Sequence, residues 1–295
     1  MEETEGIEVS EADIADVVDD VRDFFLNPNH PIFTSRGTPS SIRPDSVYHV
    51  GQLEVLFEDR HFHFRTTRAV RRLREEGFLR GEQVAFDGNR VIVVWRRNLR
   101  YTKRSIQDHV RLVREYSSDA INKATGDYAE ILTDLGLTKL RFEVVSRNSR
   151  EYRGQRWDAT EHDLDFIAER QGVAFGVEVK NTWPYFPPDE LAIKLRLCAH
   201  LGLRPLFIAR HRHSGQYEAV RNAGGLLYIF KSKVFPPGQE ELVRRIWRQM
   251  RLPVIVWNEW RPQFYTTIQS FIDRLSAPQL QNTDQAITLN RGSET

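Results

Sequence analysis

Val173-Ala174-Phe175-Gly176-Val177-Glu178-Val179-Lys180 (V-A-F-G-V-E-V-K) is the stretch on which the fold turns. A short apolar run bounded by a turn reads as a buried strand. Glu178 and Lys180 stand two apart, so both side chains leave the same face. Upstream, Leu164 to Ala168 is a second apolar run and carries Asp165; Arg170-Gln171-Gly172 forms the turn between the two. The hairpin therefore gathers two carboxylates and an amine. Carboxylates so close repel each other unless a cation lies between them, and hard oxygen ligands favour Mg²⁺ or Mn²⁺. The bland alternative is a Glu178–Lys180 salt bridge on an exposed strand. The apolar flanks argue for a central strand, where unpaired charge is costly. Asp163, two residues before Asp165, is an alternate ligand.

Working outward, Gly126 to Leu132 (G-D-Y-A-E-I-L) puts Glu130 on a helix that stops at Gly136, and Leu140 to Val145 reads as a strand. Asp189 to about His200 reads as a helix, and Leu206 to Ala209 as a strand. Asp165, twelve intervening residues, then Glu178-Val179-Lys180, with Glu130 on the preceding helix, resembles the PD-(D/E)XK nuclease signature. The resemblance covers roughly residues 119–210. Two features depart from it. Glu161-His162-Asp163-Leu164 precedes Asp165 where the family carries a Pro, and no Gln- or Tyr-based motif marks the following helix.

The resemblance implies an α/β fold with a restriction-endonuclease-like αβββαβ core around a central mixed sheet. It implies metal-dependent hydrolysis of phosphodiesters, with Mg²⁺ or Mn²⁺ as cofactor. Asp165 and Glu178 would be direct ligands and the Val179 carbonyl a third. Glu130 would hold a second ion or act through water. Lys180 would orient or activate the attacking water and stabilise charge at phosphorus.

A second module lies upstream. Val50, Leu53, Val55, Leu56 and Phe57 suit a short helix; a second helix runs from a Thr66 N-cap through Val70 and Leu73 to a stop at Gly77. Gln83 to Phe86 and Arg90 to Arg96 form strands joined at Asp87-Gly88-Asn89, a strong hairpin signal. The order, and Arg71 to Leu79 (R-R-L-R-E-E-G-F-L), resembles a winged helix-turn-helix over residues 46–98. Its second helix carries Arg65, Arg68, Arg71, Arg72 and Arg74, and Arg96, Arg97 and Arg100 follow the wing. Such a basic stripe is the electrostatic footprint of nucleic-acid binding. Of these, Arg65, Arg68, Arg71, Arg72, Arg96 and Arg97 are the expected DNA contacts.

Charge is distributed unevenly although the net is only +1. Residues 1–59 hold 14 acids against 3 arginines, and residues 60–114 hold 15 bases against 5 acids. The expected organisation is an acidic helix and loop (1–45), a DNA-binding module (46–100), a linker helix (101–118), the nuclease-like domain (119–275) and a disordered tail (276–295). No apolar run approaches a membrane span, the acidic start is unlike a signal peptide, and Cys198 stands alone, so a cytoplasmic protein is expected.

Other candidates are weaker. His162, His200, His211 and His213 lack zinc-site spacing. Arg210, His211 and Arg212 are read as lining a DNA approach, Asn181-Thr182-Trp183 as touching the substrate backbone, and Trp183, Tyr185 and Phe186 as packed aromatics rather than a stacking loop. Taken together the chain reads as an endonuclease acting on DNA. The rival is a non-catalytic DNA-binding regulator that uses a nuclease-like domain to form a homodimer; action on RNA is a third reading. No small-molecule cofactor and no membrane partner are expected.

Overall fold

The computed structural model describes residues 14–34 and 42–276. The first thirteen residues of the acidic segment, and the polar tail apart from Ser276, lie outside them. The fold is mixed α/β with a central mixed sheet.

The N-terminal part runs α1 (Ala15–Phe24), α2 (Pro31–Thr34), β1 (Tyr48–His49), α3 (Val50–Phe57), α4 (His63–Glu75), β2 (Leu79–Phe86) and β3 (Asn89–Arg96). These strands form an antiparallel sheet in the order β1-β3-β2. The β2–β3 turn places Asp87 at φ 46 and Gly88 at φ 77, the left-handed pair that a tight two-residue hairpin requires. The acidic helix is not a separate appendage. Val17, Val21 and Phe24 of α1, with Phe25 just after it, share one core with Leu53 and Phe57 of α3 and Val70 and Leu73 of α4. Thr66 is not the N-cap of α4. The helix begins three residues earlier, after Phe62, and Thr66 is buried with its hydroxyl turned back to the Phe62 carbonyl.

Next comes α5 (Lys103–Tyr116), then α6 (Asp119–Lys139), β4 (Glu143–Ser149), β5 (Glu151–Tyr152), β6 (Gln155–Arg156), β7 (Leu164–Arg170), β8 (Val173–Lys180), α7 (Pro188–His200), β9 (Arg204–Ala209), α8 (Ser214–Asn222), β10 (Leu226–Ile229), β11 (Lys233–Phe235), α9 (Glu240–Met250), β12 (Val254–Val256) and α10 (Pro262–Ser276). The central sheet has the order β10-β9-β8-β7-β4. Its β4–β7 and β7–β8 pairs are antiparallel, whereas β8–β9 and β9–β10 are parallel. The strand read at Leu140 begins instead at Glu143. Arg141 takes a positive φ of 60°, which ends α6 and turns Phe142 into the core before the strand starts.

Layers follow from the alternation along β8. Phe175 and Val177 point into a core with Leu132 and Leu137 of α6 and Phe264 and Ile268 of α10. Gly176 faces the other way, where a Cβ would meet Cys198 Sγ at 2.6 Å and Leu164 at 2.9 Å. The missing side chain lets α7 approach the sheet. Helix α5, read as a linker, is packed. Ile106, Leu112 and Val113 share a core with Val93 and Trp95 of β3 and Ile246 and Met250 of α9. The three-stranded sheet thus lies between α1, α3 and α4 on one side and α5 and α9 on the other, which couples the N-terminal unit to the C-terminal third of the chain.

Candidate functional site

The β7–β8 register pairs Phe166 with Val177. One step further it sets Asp165 opposite Glu178 on a shared face, where paired Cβ atoms stand roughly 5 Å apart. Asp165 accepts a 2.6 Å hydrogen bond from the Val179 backbone N–H, which pins its carboxylate at the strand end. Lys180 lies two residues beyond Glu178, on the same face.

Helix α7 lies along this face, and its periodicity matches that of the strand. Four residues of helix rise about 6 Å, and two residues of strand about 6.6 Å. Positions 190, 194 and 198 therefore fall over positions 180, 178 and 176. Glu190 binds the Lys180 ammonium, Lys194 Nζ lies 2.6 Å from Glu178 Oε2, and Cys198 sits on Gly176. Lys194 also donates to the Asp163 carbonyl. The result is two crossed ion pairs. Lys180 is not a free amine, and Lys194 is almost fully buried, at 4% exposure.

Electrostatics set the carboxylates apart. Burial is the main cause that raises Glu178 to about 8; the Asp165 charge adds to it, and Lys194 only partly offsets them. Burial also raises Asp165, against the lowering effect of the Val179 N–H and the two lysines. Glu130 approaches from α6 and is pushed up to about 7, by burial first and then by Asp165 and Asp127. Asp163 raises both Glu130 and Asp165, so the alternate ligand lies within electrostatic reach of the group. Asp165, Glu178 and Lys180 share one face of the sheet, and Glu130 is coupled electrostatically to Asp165. Glu130 comes from the α6 layer and the other three face the α7 layer.

Among the described residues, no group of three or more His, Cys, Asp or Glu is arranged to hold a metal ion. A Mg²⁺ site does not require such a cage, because the ion keeps several waters and commonly takes one or two carboxylates plus substrate oxygens. Two neighbouring buried carboxylates, both held above the ordinary range, are a donor set that a hard dication suits.

Several expected contacts have other roles. Arg210 does not line a DNA approach. It is fully buried, donates to Glu58 through both terminal nitrogens at 2.7 Å, and bonds the Thr182 and Trp183 carbonyls. It is the bolt between α3 and the end of β9. Asn181 is likewise structural, bonding the Thr125 carbonyl and both backbone groups of Val234. Trp183 and Phe186 are packed, as read, and Tyr185 stacks on His63 at 4.1 Å. On α4, Arg65 is held by Asp16, and Arg72 and Arg22 share Glu76. Arg68 and Arg71 lie on the exposed face; Arg96 is half-buried and Arg97 exposed.

Sequence reading missed Glu190 and Lys194. Their signal was present as an i, i+4 Glu–Lys pair, ordinarily a surface feature. The clue lay in Leu191, Ile193, Leu195 and Leu197 around it, which leave little room for a solvent face. Compared with known proteins, the chain matches no family model, no curated protein and no solved structure.

Proposed function

We propose that the protein is a metal-dependent nuclease of the PD-(D/E)XK type, with a restriction-endonuclease-like core, that is docked on DNA by a winged helix. The observation that carries the reading is the apposition of Asp165 and Glu178 on adjacent strands beside Lys180, with Glu130 close enough to feel the charge of Asp165. The order β7, β8, α7, β9 supports it, and so does the α1-β1-α3-α4-β2-β3 order of the N-terminal unit.

Asp165, Glu178 and the Val179 carbonyl would hold Mg²⁺ or Mn²⁺. When bound, such an ion supplies an activated water and neutralises charge on the phosphoryl group. Asp165 is fixed by the Val179 N–H. Glu178 is positioned by Lys194, which orients its carboxylate without touching substrate. Lys180, the amine nearer solvent, presents its charge to the reacting phosphate while Glu190 sets its direction. The basic α4 supplies phosphate contacts that position DNA.

The test is incubation with linear, circular, single-stranded and RNA substrates in Mg²⁺, Mn²⁺ or EDTA. Cleavage that needs metal and falls at least about a thousandfold, roughly 4 kcal/mol, in Asp165→Asn and Glu178→Gln is expected. Metal-independent cleavage, or full activity in both variants, sinks the site. Binding without cleavage under every condition favours the rival, a DNA-binding regulator.

A further inference from the structure

The exposed face of α4 is not uniformly basic. Phe64, Arg68, Arg71 and Glu75 recur at i, i+4, i+7 and i+11, and all four are exposed. Phe64 is 44% exposed and Phe62, just before the helix, is 37% exposed. Two large apolar rings at the solvent end of a charged helix are costly unless something covers them. Their rings lie nearly parallel, 9° apart with centroids at 6.0 Å. The His213 ring meets Phe62 edge-on at 5.9 Å and Tyr185 at the same distance. On α8, which His213 precedes, Tyr217 is exposed, with the Arg212 guanidinium 4.8 Å from its ring centroid.

This aromatic row has a direction. Tyr185 belongs to the segment that leaves Lys180, and the Lys180 ammonium lies 5.2 Å from the ring centroid of the next residue, Phe186. The other end of the row runs into the arginines of α4. Arg71 and Arg74 continue into an open pocket of about 650 Å³ lined also by Arg80 and Trp95. Phe64 and Arg71 are separated by about 10 Å along the helix axis.

We propose that Phe62 and Phe64 form a stacking platform for unpaired bases, so that the preferred ligand is DNA with a single-stranded segment rather than an uninterrupted duplex. A base in a duplex has its faces covered by neighbours. An unpaired base offers both, and stacking on aromatic rings is tolerant of sequence. Charge complementarity selects this occupant over an apolar peptide. The rings stand at the start of a helix whose exposed side carries guanidiniums suited to phosphate, and in the pocket beyond them Arg71, Arg74 and Arg80 outnumber Glu75 and Glu82. The inference rests on the nucleic-acid half of the function proposed above and not on cleavage.

The experiment is equilibrium binding of the full chain, in EDTA, to three labelled ligands of one length. These are oligothymidylate, its abasic sugar-phosphate counterpart and a duplex. Wild type should prefer oligothymidylate to the abasic strand. The double variant Phe62→Ala, Phe64→Ala should lose about tenfold or more on oligothymidylate and change little on the other two. Phe62→Tyr, Phe64→Tyr should keep the preference, which separates stacking from a folding defect. An unchanged affinity for oligothymidylate overturns the proposal, as does an equal loss on the abasic strand. So does a shift from dimer to monomer in sedimentation without loss of binding, which would assign the face to a second copy. A protein that cuts nothing with any metal yet shows the base preference leaves this inference standing and removes the nuclease.

Discussion

Two buried carboxylates, Glu58 and Glu178, each meet a buried cation, and their proton affinities move in opposite directions. Glu58 lies below the usual carboxylate range, because hydrogen bonds from Arg210 and His63 and the nearby positive charge together outweigh the opposing effect of burial. Glu178 is raised to about 8, because burial is joined by the like charge of Asp165 and Lys194 falls short of both. The contrast lies in the partners. Arg210 offers a planar fork that matches both oxygens of Glu58 and gives two further N–H groups to backbone carbonyls. Lys194 is a point charge on one oxygen of Glu178, opposite a second acid. A buried pair that is fully satisfied is a clamp. One that is left electrostatically frustrated has a charge imbalance that a cation would relieve, and perturbation of this kind clusters at functional sites.

The largest effect should come from breaking the clamp. Arg210→Ala removes the cation that compensates the buried Glu58 carboxylate, which costs about 3–5 kcal/mol. Urea unfolding should show that loss as a lower midpoint. A loss below about 1 kcal/mol would mean the two regions are not fastened there. Lys194→Met, in contrast, leaves a carboxyl already biased towards its neutral form and should cost less. If Lys194→Met costs as much as Arg210→Ala, the distinction between clamp and frustrated site fails.

A third buried cluster shows another solution, neutrality. His49 Nδ1 lies 2.8 Å from His109 Nε2, and the Tyr116 hydroxyl lies 3.0 Å from His49 Nε2. Burial pushes His109 down to about 4 and His49 in the same direction. A depressed histidine contributes stability that is present above about pH 6.5 and lost as pH falls. For His109 alone the loss reaches about 3 kcal/mol at pH 4. His109→Gln should flatten the decline of stability between pH 6.5 and 4, and an unchanged slope would show that the cluster admits water and charge at little cost.

These regions also mark what the sequence made legible. The strand order around V-A-F-G-V-E-V-K and the positions of Asp165, Glu178 and Lys180 were readable because period-2 alternation and an Arg170-Gln171-Gly172 turn are local signals. Gln171 and Gly172 do adopt the left-handed conformations of a tight hairpin. The partners were not readable. Glu190 and Lys194 look like a surface pair, and Arg210 like a free base, since only tertiary packing decides what lies across from them. Helix α1 was readable as amphipathic but its docking was not, because an apolar stripe does not name its partner.

The next effect is smaller and of opposite sign. Asp165→Asn removes the like charge while its amide oxygen can still accept the Val179 N–H. Glu178, raised in the folded state, contributes stability that is complete below about pH 4.5 and lost as pH rises towards 8. Relieving one cause of that rise should stabilise the metal-free protein at pH 8 by about 1 kcal/mol, or about 2–4 °C in Tm, and leave pH 5 unaffected. The same substitution should remove Mg²⁺ stabilisation of the fold. A metal-free Tm that falls at pH 8 would show that Asp165 is a structural strand-end acceptor and not half of a repelling pair.

The smallest effect concerns the acidic helix. Its apolar residues Val17, Val21 and Phe24 are fully buried, so α1 is part of the core and its deletion should unfold the N-terminal unit. Its polar edge is a separate matter. Asp16 holds Arg65 at 2.9 Å, and Asp16 is largely exposed. Exposed ion pairs contribute about 0–1 kcal/mol, so Asp16→Asn should barely alter stability. It should nevertheless release one guanidinium at the start of α4 for phosphate. Nucleic-acid affinity should rise a few-fold at about 50 mM salt, and the gain should shrink as screening weakens every such contact. On that outcome the clamp and this pair stand at opposite ends of one scale: the first fastens the molecule, and the second hardly fastens it but tunes the proposed binding. Affinity that is unchanged at every salt concentration would show that Arg65 lies outside the nucleic-acid footprint, and would shift that footprint towards Arg68 and Arg71.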